Sequence, residues 1–236
     1  MPDFPGLDGA LAELAAAKEG WARSSNAERV RILGEIADGT MVVAEAWAKT
    51  ASRKKGLEPG SPYEAEEWLG GPAPVIQACR QLAATIGAME GKAFLKGIPL
   101  RRLPGGQLAA RVLPHTVWEK LLLTGFRAEV WMKPGVDEAA LPSTVATAYD
   151  TPAEAREGKV ALVLGAGNVS SIPVLDCFQK LFCEHQVVLL KLNPVNDYLI
   201  EFFRPALRPL IERGALRIVR GDAAVGAHLC EHALVD

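Results

Sequence analysis

The residues able to do chemistry cluster in the last third of the chain. Gly165-Ala166-Gly167-Asn168-Val169-Ser170 follows a mostly branched, apolar run, Lys159–Leu164, and precedes Pro173 and an apolar stripe at helical spacing: Val174, Leu175, Phe178, Leu181 and Phe182. A glycine turn between a buried strand and a helix lets backbone approach a phosphate closely, while the helix's first amides and positive dipole end face the anion. The first two glycines fit the dinucleotide fingerprint, and Ser170 stands in the third place. Lys191 closes the next apolar run, where that fingerprint expects an acidic residue for the adenosine ribose. An ammonium there can hydrogen-bond ribose hydroxyls or meet a 2′-phosphate, which leaves both NAD and NADP open. Asn193 starts the turn that follows, and Gly221 and Gly226 bracket a helix start after a third run. Three consecutive strand ends therefore converge on one crevice.

Other reactive residues make weaker patterns. His228 and His232, four apart on one helix face with Cys230 between them, offer two imidazoles and a thiol to zinc. Two ordinary surface histidines are the expectation, and no metal is assigned. His115 and His185 have no evident partner, no Gly-x-Ser-x-Gly elbow exists, and Cys79, Cys177, Cys183 and Cys230 lack a context that marks a nucleophile.

The elements that must position these residues are read from periodicity and punctuation. Lys159–Leu164, Gln186–Leu190 and Leu216–Val219 are predicted strands, each followed by a helix, the second helix running unbroken from about Tyr198 to Arg213 before Gly214. Three such units define an α/β fold, an incomplete doubly wound, Rossmann-like parallel sheet. Upstream, residues 1–95 read as helical: Asp8 caps the first helix, Ser25-x-x-Glu28 is a capping box for the second, and Asp38-Gly39-Thr40 breaks it. Ser61-Pro62-Tyr63-Glu64 is a further box, and Gly70-Gly71-Pro72 punctuates before the stripe Val75, Ile76, Cys79, Leu82, Ile86. Residues 96–157 hold short strands at Gln107–Leu113 and Ala128–Met132, a helix over His115–Leu123 and a connecting segment; residues 158–236 hold the strand-helix units.

Composition bounds the rest. At 236 residues with 49% hydrophobic and 23% charged content the chain is an ordinary globular protein. A formal net charge of -2 supplies no field to recruit nucleic acid or an anionic membrane. No apolar run reaches transmembrane length, Met-Pro-Asp opens no signal peptide, and unpaired cysteine spacing fits a reduced compartment, so the expected location is the cytoplasm.

Val160–Pro173, Leu189–Asn196 and Arg220-Gly221 through Gly226 resemble the coenzyme-binding part of the aldehyde dehydrogenase superfamily. Glu64–Pro72 and Ala128–Met132 look like one of its divergent bacterial branches. The resemblance implies that Asn168 donates to the oxyanion formed as a cysteine attacks an aldehyde, in an Ala166-Gly167-Asn168 context that departs from the family's Pro-Trp-Asn. It implies that Lys191 contacts the adenosine ribose, that Gly165, Ala166, Gly167 and Asn193 belong to the cofactor crevice, and that Gly221 and Gly226 lie near the pyrophosphate. Family members are roughly twice this length, and their general-base glutamate and nucleophilic cysteine fall beyond Asp236. The chain is thus expected to be an N-terminal, NAD- or NADP-binding portion, inactive alone on aldehydes. A homo-oligomer, or pairing with a separate catalytic half, is compatible with it. A simple Rossmann reductase would carry its glycine turn near the chain start rather than at Gly165.

Overall fold

Helices Pro5–Ala22 (α1) and Asn26–Lys54 (α2) open the computed structural model, which describes residues 5–114 and 116–236; His115 and the Met-Pro-Asp start lie outside the described residues. Asp8 sits inside the first turn of α1 rather than capping it, because the helix starts earlier, at Pro5. Ser25 caps α2 by accepting from the Glu28 N–H at 3.1 Å, but the Glu28 carboxylate pairs with Arg213 instead of closing the box. The break expected at Asp38-Gly39-Thr40 is absent: α2 runs through it for 29 residues. Gly39 is there for close approach, since a Cβ on it would lie 3.2 Å from the Ala206 carbonyl oxygen, and the buried Thr40 hydroxyl donates to Ile36 O at 2.7 Å. Ile32, Leu33, Ile36 and Trp47 along α2 are completely buried.

Glu64–Leu69 (α3) and Pro72–Gly87 (α4) follow. The box before α3 forms one residue displaced: Ser61 Oγ accepts from Tyr63 N–H and Glu64 reaches back to Gly60 N–H, at 3.3 and 3.0 Å.

The chain divides into two units, Ala88–Asp150 being one and the flanking segments together the other. The inserted unit is an antiparallel sheet of Leu100–Arg102 (β1), Leu108–Leu113 (β2) and Ala128–Trp131 (β3), with helix Val117–Leu122 (α5) between the last two and a short turn of helix, Leu141–Thr144 (α6), after them. The three-residue β1 lacks a legible pattern of its own and exists through pairing with β2. Arg101 meets Glu129 with two hydrogen bonds of 2.7 and 2.6 Å, which holds the Glu129 carboxyl below its ordinary range.

The larger unit carries the parallel sheet β4-β5-β6: Val160–Leu164 (β4), Val187–Lys191 (β5) and Leu216–Val219 (β6), with helices Ile172–Phe178 (α7), Ile200–Ala206 (α8), Arg208–Glu212 (α9) and Ala223–Cys230 (α10). Val187–Leu190 of the central strand have no exposure, as a near-continuous apolar run demands. The single helix expected over 198–213 is instead a tight turn, Pro194–Leu199, followed by α8 and α9, broken at Leu207. Pro209 has no N–H to give the carbonyl four residues back, so the ladder cannot cross Leu207. Gly214, at φ 68°, ends α9 as expected.

α1 packs across all three strands. Gly158, just before β4, lies against the backbone of Lys18 and Glu19 and donates to the Glu19 carboxylate at 3.1 Å. Arg29 is buried completely and donates to Leu181 O at 2.9 Å and Trp21 O at 2.8 Å, 4.7 Å from the Trp21 ring centre. At the outer edge of β4, Asp236 N–H donates to Val160 O at 3.0 Å and its carboxylate accepts the Val160 N–H at 2.8 Å. No helix among the described residues is long and apolar enough to cross a membrane.

Candidate functional site

Leu164, Lys191 and Val219 form one register line across the sheet, so the loops after β4, β5 and β6 leave it side by side. Gly165 N–H donates to Lys191 O at 2.8 Å, and a Cβ on Gly165 would lie 3.3 Å from that oxygen and 3.4 Å from the Pro173 ring. Gly167 rests on Asn193, whose amide atoms would stand 3.0 to 3.1 Å from an added Cβ. Glycine here is what lets the two loops touch.

Asn193 spends its side-chain oxygen on the Val195 N–H at 3.0 Å, and Asn196 donates to Ala166 O at 3.5 Å. Arg220 donates to Asp197 O at 3.2 Å. All three strand-end loops are thus stitched together before any ligand arrives. Asn168, by contrast, is exposed, and its side chain makes no hydrogen bond among the described residues.

Ser170 explains the departure from the fingerprint's third glycine. Its Oγ accepts from the Trp47 indole N–H at 3.0 Å and donates to Gly70 O at 3.4 Å, while Ser171 N–H donates to Gly70 O at 3.0 Å. The Gly70-Gly71 turn, which the sequence offered only as punctuation, is therefore the surface that supports the site loop. Trp47 and Trp21 are core residues, as expected.

Lys191 is 7% exposed, and its side chain makes no hydrogen bond or ion pair among the described residues. Its carbon stem is packed while the ammonium is not among the fully buried polar atoms left without a partner, which places a cation at the strand end where a polar or anionic ligand can meet it.

Gly221 makes the turn into α10, since a Cβ there would lie 2.5 Å from Val225. Gly226 lies inside α10, one turn along and buried, not at its rim. Asp222 caps that helix, its Oδ1 accepting from Ala224 N–H at 3.0 Å and Val225 N–H at 3.1 Å. The α10 amides thus already hold a carboxylate of the chain itself, and of the two helix starts only that of α7 lacks a side-chain cap.

A cleft of about 410 Å³ extends the row of strand ends past β6, between Gly6 and Leu7 of α1 and Ile200 and Arg204 of α8, with Arg220 at its rim. Arg204 escaped the sequence reading, and Arg220, though part of the Arg220-Gly221 run, was given no role in the site. Arg220 stands one residue past β6, as Lys191 stands at the end of β5, and that strand-end position was the available signal.

The four cysteines are unbridged. Burial pushes the Cys79 thiol up to about 12 and raises those of Cys177 and Cys183 as well. Thiolate is the reactive form, so Ellman's reagent on the folded protein at pH 8 is expected to give one fast phase, from exposed Cys230. Cys230→Ser should abolish it; fast labelling that survives would contradict the burial of Cys79 and Cys177 and the partial burial of Cys183.

No protein-family model and no curated protein matches the sequence. Solved structures do match. A Sinorhizobium meliloti protein assigned as a methylmalonate-semialdehyde dehydrogenase, solved with NAD, superposes on 97% of this chain with TM-score 0.57 at 12% identity. The aldehyde dehydrogenase KauB of Pseudomonas aeruginosa does so over 97% with TM-score 0.55 at 18% identity, and an NAD-dependent aldehyde dehydrogenase of S. meliloti over 96% with TM-score 0.51 at 16% identity. The fold is therefore that of a part of these enzymes. The chain spans only 36%, 36% and 35% of their lengths, a smaller share than the half expected from sequence.

Proposed function

We propose that this chain is the N-terminal, NAD(P)-binding portion of an oxidoreductase that converts an aldehyde to a carboxylic acid. Lys191 carries the reading: a cation 7% exposed, without a partner among the described residues, in register with the Gly165–Gly167 loop and the end of β6. A dinucleotide fits that arrangement. Gly165 and Gly167 give its pyrophosphate close access to backbone, and Lys191 would meet ribose hydroxyls or a 2′-phosphate. Gly221 shapes the far wall, and Gly226 packs behind it. Bound, the nucleotide supplies the hydride acceptor.

Asn168 has the exposure and unengaged amide that a donor to a developing oxyanion needs. On the resemblance to aldehyde dehydrogenases, this reading assigns the attacking thiolate and the general base to residues outside these 236; the buried Cys79 and Cys177 thiols, with raised pKa, are poor nucleophiles. A second reading, a non-catalytic nucleotide-binding module that pairs with a separate catalytic half, draws on the outer edge of β4, where Leu162 and Leu164 leave backbone groups for another strand.

Calorimetric titration of the chain with NAD and with NADP tests the crevice. Binding of at least one is expected, weakened by about tenfold or more in Lys191→Ala through loss of a charged hydrogen bond. A variant that bound both unchanged would remove Lys191 from the site, and a wild-type chain that bound neither would remove the nucleotide. Aldehyde turnover with NAD or NADP should be absent; turnover by a chain with all four cysteines replaced would defeat the assignment of chemistry elsewhere.

A further inference from the structure

Asp8, His228 and His232 come from opposite ends of the sequence and meet at one point. His228 Nε2 lies 3.0 Å from Asp8 Oδ1 and His232 Nε2 lies 3.5 Å from the same oxygen. One ligand atom from each of the three residues falls within 4.8 Å of the others, and the two rings stand edge to face at 71°. We propose that these three side chains bind a divalent transition-metal ion of the zinc class.

The geometry supports the ion directly. A tetrahedral centre with ligands at about 2.0–2.1 Å holds neighbouring donor atoms about 3.3 Å apart, and the two measured separations bracket that value. The shared helix face expected from the sequence does not form: His228 lies on α10, while His232 stands just past its end at Cys230, and the third donor arrives from α1. Two imidazoles and one carboxylate suit zinc, cobalt or nickel rather than magnesium or calcium, which prefer all-oxygen shells. Side-chain exposures of 26%, 18% and 47% for His228, His232 and Asp8 leave an entry path and room for water as the fourth ligand.

One local bond must change. His232 Nδ1 accepts the Leu234 N–H at 3.1 Å, which places the neutral ring's proton on Nε2, facing Asp8. Metal binding needs the Nε2 lone pair, so the proton moves to Nδ1 and the exposed Leu234 amide turns to water. The ion replaces the His228–Asp8 hydrogen bond and the His232–Asp8 contact with coordination and clasps α1 to α10. Cys230, though exposed between the histidines, is not part of the cluster.

The test uses the full chain without a histidine tag, stripped of metal by chelator. Zinc titration should give one site per chain and a rise in melting temperature that the chelator reverses, and cobalt should give the strong visible bands of four-coordination. Asp8→Asn and His232→Gln should each weaken zinc by about tenfold or more, with circular dichroism confirming that the fold persists, while Cys230→Ser should bind as the parent does. No zinc binding by the folded parent overturns the proposal. So does equal binding by Asp8→Asn and His232→Gln, or loss of binding in Cys230→Ser, which would mark a thiolate site instead.

Discussion

Gly158→Ala is expected to destabilise the larger unit by about 3 kcal/mol, near the upper end for inserting a carbon into a packed interior. The added Cβ would lie 2.4 Å from the Lys18 carbonyl carbon, 2.5 Å from its oxygen and 2.7 Å from Glu19 N. All three are backbone atoms of α1, so no rotamer change relieves the clash. Either α1 lifts from the strands it covers or the start of β4 shifts, and the Gly158 N–H bond to Glu19 is lost with it. Urea denaturation should show a lower midpoint with an unchanged slope. Gly34→Ala is the control: it lies in α2 with nothing within 4 Å of its Cβ position, and should gain up to about 1 kcal/mol by helix propensity. Equal behaviour of the two variants would mean that α1 is not seated as described.

Arg29→Ala should cost about as much, since a hydrogen bond to a charged group contributes about 1.5–3 kcal/mol. The guanidinium donates to Trp21 O, Ala22 O and Leu181 O. Two of those carbonyls belong to the last turn of α1, the negative end of that helix's dipole, and the Trp21 face adds a cation–π contact. Truncation removes the charged donor from all three carbonyls, leaving Leu181 O with the Trp21 indole N–H and Trp21 O with the Ser24 hydroxyl. Arg29→Lys should recover little, because a single ammonium cannot span carbonyls on two segments and stack on an indole at once. A lysine variant with the parent's urea midpoint would show that charge alone, and not the planar fork, is what the site needs.

These two residues also mark where sequence legibility ended. β4, β5 and β6 could be read directly, because strands buried on both faces write themselves as uninterrupted apolar runs. Gly39, Gly71 and Gly158 could not be told from punctuation, because each is required by a backbone lying far off in sequence or across a turn, and that contact leaves no local trace. Arg29, in the first turn of α2 where a cation opposes the helix dipole, carries no local mark of its role; its reason is the end of another helix. The split of 198–213 was legible in principle from Pro205 and Pro209, but the apolar stripe outweighed them.

The site divides the same way. Gly165, Gly167, Lys191 and Gly221 were marked by their places after strands. That Asn193 is a buttress under Gly167, that Asp222 fills the amides of α10, and that Asp8 meets His228 and His232 all depend on which loops and helices become neighbours.

Asp236 engages both outward-facing backbone groups of Val160. Because Lys159 and Gly165 bond toward β5, the even-numbered residues Leu162 and Leu164 present the remaining edge groups of β4. Any segment that lies along this edge, from this chain or another, would take its alignment from that first rung, much as a zip takes its alignment from the pin. One residue inserted after Asp236 would turn every side chain of such a segment to the opposite face.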